Sequence, residues 1–158
     1  MRALKYIVSF ILICLLSGCS DNRMTVKIYY ADSQLMKLVP VTYTVGCTSE
    51  DVAARIIADK LIKGMDNNKY VMRLIPRENG CMRVKLMEGI AYVDFSESSW
   101  RALPTDRDRE KLAIYQVVNS FASLDGIRGV RLSVEGRLRK KADGHIETRD
   151  ILLPESDM

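Results

Sequence analysis

Asp94, Ser96 and Glu97 stand close together in the 158-residue sequence, and a serine among carboxylates has the composition of a nucleophilic site. A serine hydroxyl needs a nearby base to lose its proton at neutral pH, and the neighbouring sequence offers none. Asp94 and Ser96 end an alternating apolar run, so they are expected to satisfy backbone groups where a strand stops. His145 is the only histidine and follows the turn pair Asp143 and Gly144, an ordinary surface position. Zinc normally takes several His or Cys ligands, and Cys47 and Cys81 show no CxxC spacing. The glycines fall at predicted turns rather than in a phosphate-binding loop. No catalytic residue, metal or cofactor is therefore assigned, and the chain is expected not to be an enzyme. Met65, Met72, Met82 and Met87 have the softness of a metal or flexible binding surface, but core filling is the expected role. Trp100, with Leu103 nearby, is expected to plug the core rather than line a partner groove.

Cys19 is the cysteine that carries an assignment. Arg2 and Lys5 precede an apolar stretch from Tyr6 to Leu16, broken only by Ser9 and too short to span a bilayer permanently. Charge, short apolar segment and the small residues Ser17 and Gly18, in that order, make a signal peptide. Leu16, Ser17, Gly18 and Cys19 resemble the lipobox of bacterial lipoproteins. The resemblance implies that the Cys19 thiol receives a diacylglyceryl group and that cleavage leaves Cys19 as the first residue. Each buried methylene contributes about 0.8 kcal/mol, so the acyl chains would hold the protein on the outward face of the cell membrane. Cys14 falls inside the removed segment.

Export leaves Cys47 and Cys81 where disulfides persist, and an even pair in a small domain is compatible with a bond between them. Two buried cysteines that act as small apolar residues are the alternative. The chain has 24 Lys and Arg against 20 Asp and Glu, and losing Arg2 and Lys5 leaves 22 against 20, a formal charge of +2. That balance does not point to nucleic acid. Arg137, Arg139, Lys140 and Lys141 have the charge to touch anionic lipid or wall polymer, although a solvated strand edge is the ordinary reading. The expected organisation is a signal peptide over 1–18, a lipidated tether over 19–23, one domain over 24–153 and a polar tail over 154–158.

The elements follow from periodicity. Met24 to Tyr30 alternates as a strand, Asp32, Ser33 and Gln34 turn, and Met36 to Val45 is extended, with Pro40 marking an edge or a bulge. Thr48 to Asp51 resembles a capping box, and Val52, Ala53, Ile56, Ile57 and Leu61 recur at helical spacing until Gly64. A connection with Pro76, Asn79 and Gly80 leads to Met82 to Met87 and Ile90 to Phe95, a hairpin about Glu88 and Gly89. Thr105 is expected to cap a second helix beginning near Asp106, with Ile114, Val117, Val118 and Phe121 on one face and Gly126 at its end. Val130, Leu132 and Val134 form a further half-buried strand, and Asp143 with Gly144 suggests one more hairpin. The order predicts an α+β domain, a small mixed sheet with two helices packed on one face.

Several of these segments resemble the GerMN domain of spore germination and sporulation lipoproteins. They are Val26 to Tyr30 with Asp32, Leu38 to Pro40, the helix at Ala53 and Ala54, Leu74 to Pro76, Ala91 to Ser96, and Ile114 to Gly136. The most telling are Ala91-Tyr92-Val93-Asp94-Phe95-Ser96 and the run from Gly129 to Gly136, each a strand followed by a turn. The resemblance covers most of the chain after Cys19, as one copy of the domain. It implies a compact fold similar to the ring-building domains of secretion channels, used in assembling envelope complexes between two membranes. Two function classes follow. One is a non-catalytic module that assembles with itself or with envelope proteins, in sporulation or germination. The other is a lipoprotein that binds a small ligand or wall polymer, which requires a concave pocket with convergent polar groups.

Overall fold

The structure, a computed structural model, describes residues 23–46, 49–65, 68–77, 82–139 and 145–156. The expectations for residues 1–22, including lipidation at Cys19, lie outside the described residues. So do those for Thr48, Cys47, Cys81, Asn79, Gly80, Lys140, Lys141, Asp143 and Gly144.

β1 (Arg23–Asp32) and β2 (Leu38–Gly46) pair antiparallel, from Arg23 opposite Gly46 to Ala31 opposite Leu38. Arg23, read as tether, is thus the first residue of the sheet. The alternation Val26, Ile28, Tyr30 becomes a fully buried face. The intervening turn closes on the Asp32 carboxylate, whose Oδ1 accepts from the Met36 N–H at 2.8 Å. α1 (Glu50–Lys63) starts at Ser49 rather than Thr48, because the Ser49 hydroxyl accepts from the Val52 N–H. That start turns Ala53, Ala54, Ile57, Ala58 and Leu61 inward and leaves Val52 at the surface. Gly64, at a φ of 72°, ends the helix, its N–H donating to Lys60 O at 2.8 Å.

β3 (Val71–Met72) adds two residues beside Ala31 and Asp32 of β1, too short a run to show any alternation in sequence. β4 (Met82–Met87) and β5 (Ile90–Phe95) make the expected hairpin about Glu88 and Gly89, at φ 52° and 77°. α2 (Glu97–Arg101) is one short turn capped by Ser96, unforeseen because five residues carry no periodicity. α3 (Arg107–Phe121) is capped by the Asp106 carboxylate, which accepts from the Arg109 N–H at 3.1 Å, in place of Thr105. It stops at Phe121, and Gly126 serves a later turn at φ 75°. β6 (Gly129–Val134) runs parallel to β5, and the chain then returns so that Leu152 bridges Val130 in antiparallel fashion.

The α+β class stands, with the strands divided between two three-stranded sheets, in the orders β2-β1-β3 and β4-β5-β6. Only the second is mixed. The reason lies at β1. Its edge beyond β3 is filled by α3, where the Ser120 hydroxyl accepts from the Tyr29 N–H at 2.8 Å and the Ser123 hydroxyl from the Lys27 N–H at 3.2 Å. With those donors satisfied by a helix, no strand of the second sheet can join there. α1 packs on β4 and β1, α3 packs on β1 and β6, and the helices touch each other. One apolar core, including Ile28, Ile57, Phe95, Val117, Phe121 and Leu132, runs between these layers. Trp100 belongs to it, with its ring 5.5 Å from that of Phe95 in an edge-to-face contact.

Candidate functional site

β5 ends at Phe95, and the residues after it decide whether chemistry is available. Asp94 projects from β5 between its neighbours on β4 and β6. Its carboxylate accepts from the Ser133 hydroxyl at 2.6 Å, the Gly136 N–H at 2.8 Å and the Arg83 guanidinium at 2.6 Å. Burial pushes this carboxyl up, but those three hydrogen bonds and the Arg83 charge outweigh it and hold Asp94 below the usual carboxylate range. A carboxylate so engaged is a poor base. The Ser96 hydroxyl accepts from the Ser99 N–H at 3.2 Å and lies 2.7 Å from the Ser99 hydroxyl, where it caps α2. Glu97 pairs with Arg101 at 2.9 Å and with Arg139, and the Arg101 hydrogen bond is foremost in holding it below its ordinary range. The cluster that resembled a nucleophilic site is therefore a strand-end brace, with each polar group committed to the backbone or an ion pair.

His145 has a partner that the sequence did not suggest. Its Nδ1 lies 2.8 Å from Glu110 Oε2, and Glu110, fully buried in the first turn of α3, also accepts from the Ile146 N–H at 3.2 Å. A buried carboxylate without such donors would be strongly unfavourable, so the returning chain after residue 144 is tied to α3 here. No signal joins Glu110 to a residue 35 positions later, because periodicity reports one element at a time. Among the described residues no group of three His, Cys, Asp or Glu side chains is placed to hold a metal ion.

A second feature lies where α3 meets that returning chain. A cleft of about 380 Å³ is lined by Tyr29, Asn119, Ala122, Ser123, Pro154 and Glu155. Pro154 to Ser156, read as part of a polar tail, are docked against α3. Asn119 donates to Glu155 O at 2.8 Å and accepts from the Glu155 N–H at 3.1 Å, while Lys111 pairs with the Glu155 carboxylate at 2.8 Å. The Lys111 hydrogen bond, followed by that of Tyr115, holds the Glu155 carboxyl below its usual range. Burial, then the Glu155 hydrogen bond, pushes Tyr115 up to about 12. Asn119 and Glu155 are thus turned toward each other rather than into the cleft. Of the methionines, Met65 and Met82 pack on the core as expected, whereas Met72 and Met87 are exposed.

The strand edges differ in how they are closed. β1 is bonded by α3 at Lys27 and Tyr29, and β6 is met at Val130 by Leu152, which exchanges hydrogen bonds of 2.9 and 2.8 Å with it. The outer edge of β2, nine residues long, is paired with no strand among the described residues. Also among the described residues, no helix is long and apolar enough to cross a membrane.

Comparison with known proteins places this architecture. The Germane family model, described as sporulation and spore germination, matches residues 27–140, well over half of the chain. The first GerMN domain of the sporulation protein GerM from Bacillus subtilis superposes with a TM-score of 0.64 at 16% identity, covering 85% of this chain and 99% of that one. The tandem GerMN domains of the same protein give a TM-score of 0.66 at 17% identity over 84% of this chain, which spans 46% of that longer one. A candidate lipoprotein from Clostridium perfringens gives 0.61 at 8% identity, covering 87% of this chain and 92% of that one. No curated protein matches the sequence. At these identities the structures speak for the fold alone, and the family match supplies the membership: the chain belongs to the Germane, or GerMN, domain family of sporulation and spore germination.

Proposed function

We propose that this protein is an exported lipoprotein, cleaved after residue 18 and acylated at Cys19. Its GerMN domain then works without catalysis as an assembly module on the extracytoplasmic face of the cell membrane, in sporulation or germination. The observation that supports the non-catalytic part is the commitment of Asp94, Ser96 and Glu97 to structural hydrogen bonds, which leaves Ser96 without a free base among the described residues of this cluster. The lipobox-like Leu16 to Cys19 and the likeness to a candidate lipoprotein support the anchor. The open edge of β2 supports association through main-chain pairing, a recurrent mode of protein recognition. Envelope proteins or a second copy of the chain are the partners this edge suits.

In-cell crosslinking in growing and sporulating cells, with intact mass of the purified protein, tests the reading. The expected result is acyl mass lost on Cys19→Ala, and captured envelope proteins lost when β2 is altered. An exported protein without acyl mass overturns the anchor. Saturable hydrolysis abolished by Ser96→Ala overturns the non-catalytic role. The second reading, ligand or wall-polymer binding, draws on the cleft beside Tyr29 and Pro154, and it predicts glycan binding that Tyr29→Ala removes.

A further inference from the structure

The second sheet has one face on the core and the other in solvent. Val84, Leu86, Ala91, Val93, Val130 and Leu132 point inward. The residues between them form rows across β4, β5 and β6 on the opposite side, with Lys85 beside Tyr92 beside Arg131, and Arg83 beside Asp94 beside Ser133. A third row runs Met87, Ile90, Gly129. The bridge from Val130 to Leu152 extends this face by one further position, and a Cβ placed on Gly129 would lie 2.6 Å from Ile151 Cγ2 and 3.4 Å from Leu153 Cδ2. Ile151 and Leu153 therefore fold over Gly129 on the solvent side, 38% and 63% exposed, and Met87 across the face is 42% exposed.

This face is amphipathic within a single surface. One half presents Met87, Ile90, Ile151 and Leu153, and the other Arg83, Lys85 and Arg131, with Tyr92 between the last two. Of the three cations on this face, Arg83 is paired with the Asp94 carboxylate. Lys85 has no ion pair or hydrogen bond among the described residues, and Arg131 Nε is buried without a hydrogen-bond partner.

We propose that this face docks on the surface of an anionic phospholipid bilayer. Lys85 and Arg131 engage phosphate oxygens, the exposed Leu153, Ile151 and Met87 enter the headgroup boundary, and Tyr92 lies between the two cations. An apolar half lying beside the cations Lys85 and Arg131 is what favours a lipid surface, since a soluble polyanion offers nothing to the apolar half. The proposal rests on the reading of the chain as a membrane-side protein. It orients the domain, laying the second sheet on the membrane.

Residues 20–158, the proposed mature chain without its acylated Cys19, serve as the test protein. Its co-sedimentation is measured with vesicles of phosphatidylcholine alone and with phosphatidylglycerol added. Binding is expected only to the anionic vesicles. The pair Lys85→Gln with Arg131→Gln lowers partitioning roughly 25-fold, each cation near the surface being worth about five-fold. Leu153→Ser lowers it roughly three-fold or more without changing charge. Melting curves matching the parent confirm that these solvent-face variants fold. Equal sedimentation with both vesicle types, or no effect of the paired substitution, overturns the proposal. So does binding to polyphosphate that is as tight as to vesicles and indifferent to Leu153→Ser, or concentration-dependent dimerisation lost in the same variants without vesicle binding. Acyl mass on Cys19 in cells reports the anchor separately, so failure of the face and failure of the anchor are distinguishable.

Discussion

Replacing Ser120 by Ala removes a single oxygen that joins β1 to α3. That hydroxyl donates to Gln116 O at 2.6 Å and accepts from the Tyr29 N–H at 2.8 Å, and Ser120 is fully buried. Gln116 O loses only a second donor, but the Tyr29 N–H loses its sole replacement for a strand partner. A buried donor left unsatisfied costs about 1 to 3 kcal/mol. Alanine returns about 0.5 kcal/mol in helix propensity, so the net loss is roughly 1.5 kcal/mol. For a domain of this size that lowers Tm by roughly 5 °C. Ser123→Ala is the matched control. Its hydroxyl accepts from the Lys27 N–H at 3.2 Å, but in an exposed setting where water substitutes, so the loss stays within about 0.5 kcal/mol. Urea unfolding at constant slope measures both. If Ser120→Ala is as stable as the parent, α3 does not close the β1 edge at Tyr29 and the account of two separate sheets fails with it.

The Asp94 carboxyl is held below its unfolded value, so its contribution is fully present above about pH 4 and is lost as pH falls through the folded value. Urea midpoints between pH 6 and pH 2.5 should fall less steeply for Asp94→Asn than for the parent, and identical slopes would exclude the brace. At the β4–β5 turn Glu88 stands at φ 52° before Gly89 at 77°, a turn that favours Asn-Gly, so Glu88→Asn should raise stability by about 0.5 kcal/mol in thermal melts. Gly89→Ala should lower it by more than about 1 kcal/mol, since its Cβ would lie 3.0 Å from Gly126 O, and unchanged melting would contradict the turn geometry. Cys47 and Cys81 are expected to pair in exported protein, stabilising the fold by roughly 3 to 4 kcal/mol. Non-reducing peptide maps that recover both thiols free would end that expectation.

What could be read in the sequence was whatever repeats within one element. Val26, Ile28 and Tyr30 alternate because one face of β1 is buried, and Glu88-Gly89 marks its turn because few residues tolerate both positive φ angles. Caps were displaced by one residue at Ser49 and Asp106, since neighbouring Thr48 and Thr105 carry an equally suitable oxygen and only the chain's entry angle chooses between them. Partnerships across elements left no trace. Glu110 with His145, Asn119 with Glu155 and Ser120 with Tyr29 each join positions at least 35 apart, and polar residues on a helix otherwise read as solvent-facing. The division into two sheets follows from the last of these, which is why periodicity could predict the strands but not their grouping.

The same hydrogen bonds fix which part of β2 is open to a partner. Lys27 and Tyr29 direct their N–H groups to α3, so in an antiparallel ladder their β2 partners, Thr42 and Pro40, direct theirs away from β1. Thr44 and Leu38, opposite Thr25 and Ala31, share that outward direction. Pro40 has no N–H to offer, and it stands between Leu38 and Thr42, so the outward ladder is interrupted there. An added strand can pair continuously only from Thr42 toward Gly46, the end of β2 that lies opposite Arg23, where the chain enters from its proposed anchor. Pro40 thus both permits the edge position and limits it, blunting the long edge against indiscriminate pairing while leaving a short stretch for a partner held beside the membrane.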